Sequence, residues 1–280
     1  MDREVLANHQ VRGVWQAGEF AFVRGLVIDY RAGLLVTSDE TGKEAFGDPK
    51  EFQAESGEDG DSVLVRVLRP PKPSTIRHGA FREAIAAARG VAQYGFQETR
   101  AWDTPSRYVV DTGEGGHGVV QFIGEGCVGA MALSDPLRRF DALSVASNTP
   151  PEIRATVLEV CSLPLLATPP TIPLTALFWS AGEPVSGGET WPCVYKYGAE
   201  ILLHEFLDDA TWAKAANDYY ELTSQISDLV VEISRRRSSS DERLQLTASE
   251  LSSLLGPEMM GYQDALRLLN DAGVFPPFDP

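Results

Sequence analysis

The stretch from Arg107 to Ala130, RYVVDTGEGGHGVVQFIGEGCVGA, alternates short apolar runs with glycine-rich segments. The runs RYVVD, GVVQFIG and, continuing to Leu133, GCVGAMAL have the length and β-branched content of strands. The glycines between them supply the backbone freedom that tight turns need. The stretch therefore predicts three consecutive antiparallel strands that form a meander.

Two patterns that carry chemistry in other proteins fall on the same stretch. Gly113, Gly115 and Gly118 match the spacing G-x-G-x-x-G of dinucleotide sites. Such a site needs a helix directly after the glycines, so that the helix N-terminus faces the pyrophosphate. The residues after Gly118 predict a strand instead, and Asp111 and Glu114 would place carboxylates beside the phosphate. A hairpin turn is the favoured interpretation.

The tripeptide Asp111-Thr112-Gly113 also occurs in aspartic proteases, where two carboxylates share one proton. This chain has one Asp-Thr-Gly and no Asp-Ser-Gly, so only a homodimer could supply the second carboxylate. Glu114 follows the tripeptide, whereas proteases of the dimeric type continue with Ala or Ser. Asp and Thr before Gly are ordinary turn residues, which again favours the turn.

The composition indicates which partners to expect. The chain has 40 acidic and 24 basic residues, a net charge of -16, and the excess is spread along the sequence. A surface of this sign repels phosphate backbones and anionic lipids, so we expect neither a nucleic acid nor a membrane partner. It attracts a basic protein, although a charge of this kind also serves solubility alone.

The cysteines and the hydropathy pattern bear on location. Cys127, Cys161 and Cys193 are far apart and form no Cys-x-x-Cys pair, so neither a disulfide framework nor a zinc site is indicated. The first residues lack an apolar signal segment, and no apolar run is long enough to span a bilayer. A cytoplasmic protein with reduced thiols is the expectation.

Changes in pattern along the chain predict an α+β fold in four parts. Residues 1–69 hold β-branched and aromatic runs separated by turn signals, typical of a small antiparallel β domain. The proline-rich residues 70–74 predict a linker. Residues 75–237 predict an α+β domain with the antiparallel meander and a helical layer. Residues 238–280 predict a helical C-terminal extension, in the form of a hairpin of two helices.

Several helix boundaries carry local signals. Apolar residues at helical spacing predict a helix that ends at Gly95, and Thr149 is a candidate cap for the helix that follows the meander. Breaks near Asp208 and Thr223 would divide the long proline-free segment that follows into two or three helices. Thr247 and Glu250 have the spacing of a capping box.

His204 and Glu205 lie in that helical segment, with Asp208 and Asp209 one turn further on. A histidine and a carboxylate four residues apart share one helix face, but a metal site would need another ligand from elsewhere. We therefore predict a solvated acidic face here, and neither a metal nor a cofactor is indicated anywhere in the chain.

Six residues are the candidate binding residues. Asp111, Glu114 and His117 form an acidic loop at the end of the hairpin, and loops carry many functional residues. Aromatic residues near a second loop could anchor a partner. That second group consists of Trp191, Tyr195 and Tyr197.

Three functions are open at this point. The leading one is a non-catalytic acidic binding protein, concretely an immunity or inhibitor protein that neutralises a basic, nuclease-type toxin. The second is an enzyme without a linear motif, with acid–base chemistry from Asp111, Glu114 and His117, aided by His204 and Glu205. The third is a structural adaptor that assembles through its N-terminal sheet edge and its Phe-Pro tail.

Overall fold

The computed structural model describes the larger part of the chain. Side chains are described in residues 71–95, 99–113, 115–133, 149–164, 174–182, 198–240, 243–256 and 261–276, apart from residues 200 and 218, and at positions 166, 185 and 194. Before residue 70 the backbone of six strands is described. The contacts divide the chain into one unit of residues 1–70 with 189–195 and a second unit of residues 71–188 with 196–280.

The first unit contains two three-stranded antiparallel sheets. The six strands are β1 (Phe20–Val23), β2 (Val27–Arg31), β3 (Leu34–Ser38), β4 (Glu44–Gly47), β5 (Phe52–Ser56) and β6 (Val63–Val67). One sheet has the order β1-β6-β5 and the other the order β2-β3-β4. The apolar run FAFVRGLVIDY, which looks continuous in the sequence, is divided between β1 and β2. The apolar run VRGVWQ at residues 11–16 lies outside the described residues.

The second unit mixes helices with a five-stranded antiparallel sheet. Its elements are α1 (Pro73–Tyr94), β7 (Thr99–Thr104), β8 (Arg107–Asp111), β9 (Gly116–Ile123), β10 (Gly126–Leu133), α2 (Pro151–Cys161), β11 (Ala176–Ser180), α3 (Leu203–Phe206), α4 (Asp209–Tyr219), α5 (Ser224–Ser238), β12 (Leu244–Gln245), α6 (Ala248–Leu255), α7 (Tyr262–Asp271) and β13 (Val274–Phe275). The sheet order is β11-β10-β9-β8-β7, and β12 pairs with β13 in parallel. The predicted α+β class is confirmed at this level.

The glycine-rich stretch forms the centre of that sheet. Strands β8, β9 and β10 pair antiparallel in sequence order, as the pattern predicts. The first turn is closed by the amide of Thr112, which donates to the carbonyl of Gly116 over 2.9 Å. Gly113 and Gly115 have φ values of 71° and 93°, in the region that favours glycine. Since Gly118 is followed by strand rather than helix, the hairpin interpretation is confirmed.

The two faces of the sheet pack against different helices. On one face the apolar side chains of β9, β10 and β11 form a core with α2, including Val119, Val128 and Val157. On the other face the ring of Trp102 stacks on Phe81 of α1, with ring centroids 4.4 Å apart. The alternation of side chains along each strand thus places helices on both sides of the sheet.

Helix α1 lies at the centre of the second unit and is buried on nearly all sides. Its buried residues include the charged Arg82 and Glu83 beside apolar side chains, and the many alanines of α1 let its neighbours approach closely. One close approach is at Gly79, where a Cβ would lie 2.1 Å from the carbonyl oxygen of Glu205 in α3. The helix ends at Gly95, whose φ of 65° is the left-handed conformation expected of a glycine cap.

Local signals predicted most helix ends correctly. Asp208 and Thr223 are the caps that begin α4 and α5. Thr247 and Glu250 form the predicted capping box at the start of α6. Thr149 does not cap α2: the N-cap is Pro150, which has no side-chain donor or acceptor to offer.

The start of α1 and the strand β7 also differ from the sequence prediction. Helix α1 begins at Pro73, so the end of the proline-rich stretch forms its first turn, where proline is favoured because the first amide has no partner. Strand β7 was not predicted, because TRAWDT mixes charged and apolar residues without a clear period. The pairing of β7 with β8 supplies the hydrogen bonds that this sequence does not signal.

We expect Gly79→Ala to destabilise the second unit by about 1–3 kcal/mol, the usual cost of overpacking. The loss should appear even though alanine favours a helix over glycine by about 1 kcal/mol, because the added methyl meets the backbone of α3. Urea unfolding measures the change. Ser74→Ala, at an exposed position of the same helix, is the control and should change stability by no more than about 0.5 kcal/mol. Equal stability of both variants would contradict the close approach.

Candidate functional site

A cluster of polar and charged side chains is enclosed between α1, the sheet and the helices α3 and α4. We call it the buried carboxylate cluster. Its members come from six places in the chain and share hydrogen bonds or ion pairs with one another. They are Glu83, Arg100, Tyr108, His204, Glu205, Trp212 and Tyr220.

Glu83, in the middle of α1, is completely buried and has partners on both oxygens. Its Oε1 accepts a hydrogen bond from the indole N–H of Trp212. Its Oε2 accepts from the hydroxyl of Tyr220 over 2.7 Å and lies 3.6 Å from Nε of Arg100 and from Nδ1 of His204. Burial opposes the ionisation of Glu83, but His204, Arg100 and Tyr220 together outweigh it and lower its pKa to about 2.

Glu205, in α3, is also completely buried but is satisfied on one oxygen only. Its Oε1 accepts from Nη1 of Arg100 over 2.6 Å and from the hydroxyl of Tyr108 over 2.7 Å. Its Oε2 is buried and has no hydrogen-bond partner among the described residues. Burial raises the pKa of Glu205, and the charge of Glu83 adds to the increase. The two glutamates therefore have opposite pKa shifts.

A second arginine holds the segment that carries these groups. Arg82, buried in α1, donates to the carbonyls of His204 over 2.8 Å and of Leu207 over 2.9 Å. Its other terminal nitrogen donates to Asp209 over 2.8 Å. The guanidinium also lies over the ring of Trp212, 4.9 Å from the centroid. Arg82 thus satisfies the carbonyls at the end of the short helix α3, which fixes His204 and Glu205 in place.

The predicted solvated acidic face at His204 and Glu205 is wrong. Glu205 points into the core, Asp208 accepts the first amides of α4, and Asp209 pairs with Arg82. The sequence contained a signal for this outcome. Glu205 lies within the apolar run ILLHEFL, which favours a buried position, and a buried acid requires a partner. The partner could not be identified, since Arg100 is 105 residues away.

The candidate residues of the hairpin are only partly brought together. Asp111 and His117 face each other across β8 and β9, with Oδ1 and Nδ1 3.6 Å apart. The expected loop position of His117 is wrong, because the residue belongs to β9 and is half-buried. Asp111 also closes the turn by accepting from the amide of Gly113. Glu114 lies outside the described residues.

The remaining candidates are the three aromatic residues, a possible metal site and Cys127. Trp191, Tyr195 and Tyr197 lie outside the described residues, so their binding role stays a prediction. Among the residues whose side chains are described, no three His, Cys, Asp or Glu side chains converge as metal ligands would. Cys127 is buried, and burial raises its pKa to about 12, which makes its thiol unreactive.

The cluster contains the titratable groups of an acid–base site, but its side chains are buried like those of a core. The most exposed member of the cluster is His204, whose side chain is 16% exposed. The ring of Tyr219 meets the ring of His204 edge-on, with centroids 4.9 Å apart, on the outer side of the cluster. The carboxylates bond to other protein groups, so the arrangement serves to orient α1, the sheet and α4 against one another.

Comparison of the chain with known protein families, with characterised proteins and with solved structures finds no match. In the part of the chain that the structure describes, none of the helices combines the length and apolar character needed to cross a bilayer.

We expect Glu83→Gln to destabilise the second unit by about 3–5 kcal/mol, the usual cost of breaking a buried ion pair. The amide would remove the negative charge that Arg100 and His204 share. Its NH2 group would also replace an accepting oxygen and face neighbouring hydrogen-bond donors. Urea unfolding measures the loss. Glu125→Gln, an exposed acid in the β9–β10 turn, is the matched control. Similar unfolding midpoints for the two variants would contradict the role given to Glu83.

The low pKa of Glu83 also predicts acid sensitivity. A carboxylate whose pKa is depressed by folding contributes stability above its unfolded pKa, near 4.5, and this stability is lost as the pH falls toward 2. The urea midpoint should therefore decrease between about pH 5 and pH 2. The same titration of Glu83→Gln should show a shallower decrease, and an unchanged slope would argue against the assignment.

Proposed function

We propose that this chain is a non-catalytic acidic binding protein, and that its partner is a basic protein. The concrete case is an immunity or inhibitor protein that neutralises a nuclease-type toxin. One observation carries the proposal: three arginines of the second unit are buried in its interior, and exposed acids outnumber exposed bases on its described surface. A surface of this kind steers a cationic partner toward the protein and speeds association.

The three buried arginines bind groups within the protein. Arg82 and Arg100 are buried against carboxylates and carbonyls of α3 and α4. Arg237, also buried, donates from Nε to the carbonyl of Ala272 and from Nη1 to the carbonyl of Ser240. These cations contribute little positive potential outside the protein because neighbouring groups neutralise or enclose them.

The exposed charges among the described side chains are mainly negative. The exposed acids are Asp103, Glu125, Glu152, Glu159, Asp208, Glu221, Asp228, Glu232, Asp264 and Asp271. The exposed bases are Lys72, Arg154, Lys214, Arg235, Arg243 and Arg267. Two of these bases lie beside acids: Arg235 pairs with Asp209 and Glu232, and Arg267 pairs with Asp264. The described surface thus carries the negative sign of the whole chain.

One part of this surface also offers aromatic contacts. We call Tyr94, Tyr219 and Glu221 the tyrosine patch. Tyr94 is 56% exposed and Tyr219 is 40% exposed, two of the four large hydrophobic side chains that are exposed in the described residues. A hydrogen bond with Glu221 raises the pKa of Tyr94, so the end of α1 and the segment after α4 meet here. Tyrosines beside a carboxylate suit a cationic partner, because they offer both apolar area and cation–π contacts.

The patch is held in one conformation by the interior. Tyr220 and Leu222 are buried on either side of Glu221, and Tyr220 is anchored to Glu83. Glu221 has a φ of 52°, a left-handed conformation that non-glycine residues adopt at a cost. A surface that is ordered before binding loses less conformational entropy when a partner docks, which supports its use in recognition.

Two further contact sets are proposed from the sequence. The hairpin set consists of Asp111, Glu114 and His117, and the aromatic set consists of Trp191, Tyr195 and Tyr197. The four-part arrangement with an N-terminal antiparallel β domain and a C-terminal helical extension is likewise proposed from the sequence. The proposed location is the cytoplasm, on the basis of three scattered cysteines.

The test starts by purifying partners of the tagged full chain from its host and then measuring binding with both purified proteins. We expect a basic protein whose Kd rises at least tenfold, as an approximate threshold, when the salt concentration is raised from low to physiological. A partner that is acidic, or one whose Kd does not respond to salt, would contradict the proposed function.

Variants locate the surface on the same purified pair. Tyr219→Ala and Glu221→Lys should each weaken binding by roughly tenfold or more if the tyrosine patch is the contact. Glu125→Lys introduces the same charge change at an exposed turn of the sheet and is the matched control. If Asp111→Lys weakens binding and the patch variants do not, the hairpin set is the contact surface instead.

A further inference from the structure

Two buried carboxylates share the guanidinium of Arg100. Nη1 of Arg100 lies 2.6 Å from Oε1 of Glu205, and Nε lies 3.6 Å from Oε2 of Glu83. Both glutamates are 0% exposed. Two carboxylates that contact one guanidinium in a poorly solvated interior repel each other, and such pairs commonly retain a proton on one member.

The hydrogen bonds show which carboxyl is suited to hold that proton. Both oxygens of Glu83 accept hydrogen bonds, from Trp212 and from Tyr220. Oε2 of Glu205 is buried without a partner among the described residues. An ionised carboxylate spreads its charge over both oxygens, so a bare oxygen in the core makes ionisation costly. A proton on Oε2 removes that charge and leaves Oε1 free to accept from Arg100 and Tyr108.

Charged or titratable groups from α1, β7, β8 and α3 interact electrostatically with Glu205. These groups are Glu83 and Arg82 from α1, Arg100 from β7, Tyr108 from β8, and His204 beside it in α3. Burial raises the pKa of Glu205 most, and Glu83 raises it further. Arg100, Tyr108 and His204 lower it, and the net direction is upward.

We propose that Glu205 keeps its proton at neutral pH, and that loss of this proton at higher pH weakens the attachment of α3 to α1 and β7. In this step the Oε2–H bond breaks, the electron pair stays on the carboxylate, and hydroxide or buffer base accepts the proton. The proposal concerns the interior of the second unit and does not depend on the proposed function.

The backbone explains why ionisation would loosen α3 rather than only shift a side chain. The carbonyl of Glu205 packs directly against Gly79 in α1, where no room for even a methyl group exists. Arg82 holds the carbonyls of His204 and Leu207. The carboxylate therefore cannot reach water by a small adjustment, and hydration requires α3 to move away from α1. A group with a raised pKa stabilises the fold below its unfolded pKa and loses this contribution as the pH rises through its folded pKa.

The variant Glu205→Gln imitates the protonated carboxyl and tests the proposal by urea unfolding. At pH 7 we expect its unfolding constant to rise less than about tenfold, against a rise of more than a hundredfold for Glu83→Gln. The wild-type protein should lose stability as the pH rises from about 4.5, the unfolded pKa of a glutamate, to beyond 7, and Glu205→Gln should not show this loss. A rise for Glu205→Gln as large as that for Glu83→Gln would overturn the proposal, because it would mean that Glu205 is ionised.

Infrared spectroscopy of the wild-type protein gives a second measurement that does not depend on a variant folding. At a slightly alkaline pH ordinary carboxyls are ionised, so a protonated Glu205 should give an isolated carboxylic-acid band that shifts in D2O. The band should disappear as the pH rises further, and its absence at slightly alkaline pH would overturn the proposal. His204→Asn should keep both the band and the alkaline loss of stability. If that loss disappears in His204→Asn and persists in Glu205→Gln, the proton belongs to His204 and the proposal is wrong.

Discussion

Arg100 lies between two buried carboxylates, and the packing of the second unit depends on this contact. Its guanidinium joins β7 to Glu83 of α1 and to Glu205 of α3. Loss of the Glu83 charge would leave the guanidinium of Arg100 in a medium that solvates it poorly. The hydrogen bond from Arg100 to Glu205 ties α3 to the same guanidinium, so the three elements are held together as a set. Apolar packing could hold the same elements, but it would fix their relative positions less strictly than paired charges with defined geometry.

The central helix is consistent with this constraint. The alanines of α1 and Gly79 allow neighbouring backbones to approach, which places Glu83 and Arg82 within reach of α3 and α4. Arg82 then secures the short helix α3, which is too short to be stable by itself. The outer end of the cluster carries His204 and Tyr219, so the conformation of the neighbouring surface depends on the same buried charges.

Structure set by neighbouring residues could be predicted, and structure set by distant residues could not. The meander follows from glycines and β-branched runs, and the starts of α4, α5 and α6 follow from capping residues. The hydrogen bonds of the cluster join residues 97 to 137 positions apart, so no local pattern encodes these partners. Glu205 was the one local clue, an acid inside an apolar run. Strand β7 was missed because its form depends on pairing with β8 rather than on its own composition.

The order of contacts around α1 has a consequence for how the chain folds during synthesis. Helix α1 is the first element of its unit, yet it packs against Gly261 at the start of α7, and Arg89 donates to the carbonyl of Leu254 in α6. These partners leave the ribosome only after nearly all of the unit has been made. The apolar surface of α1 must therefore remain uncovered, or covered by a chaperone, until that point. Such long sequence separations also slow folding, so completion of the unit is expected to follow synthesis rather than accompany it.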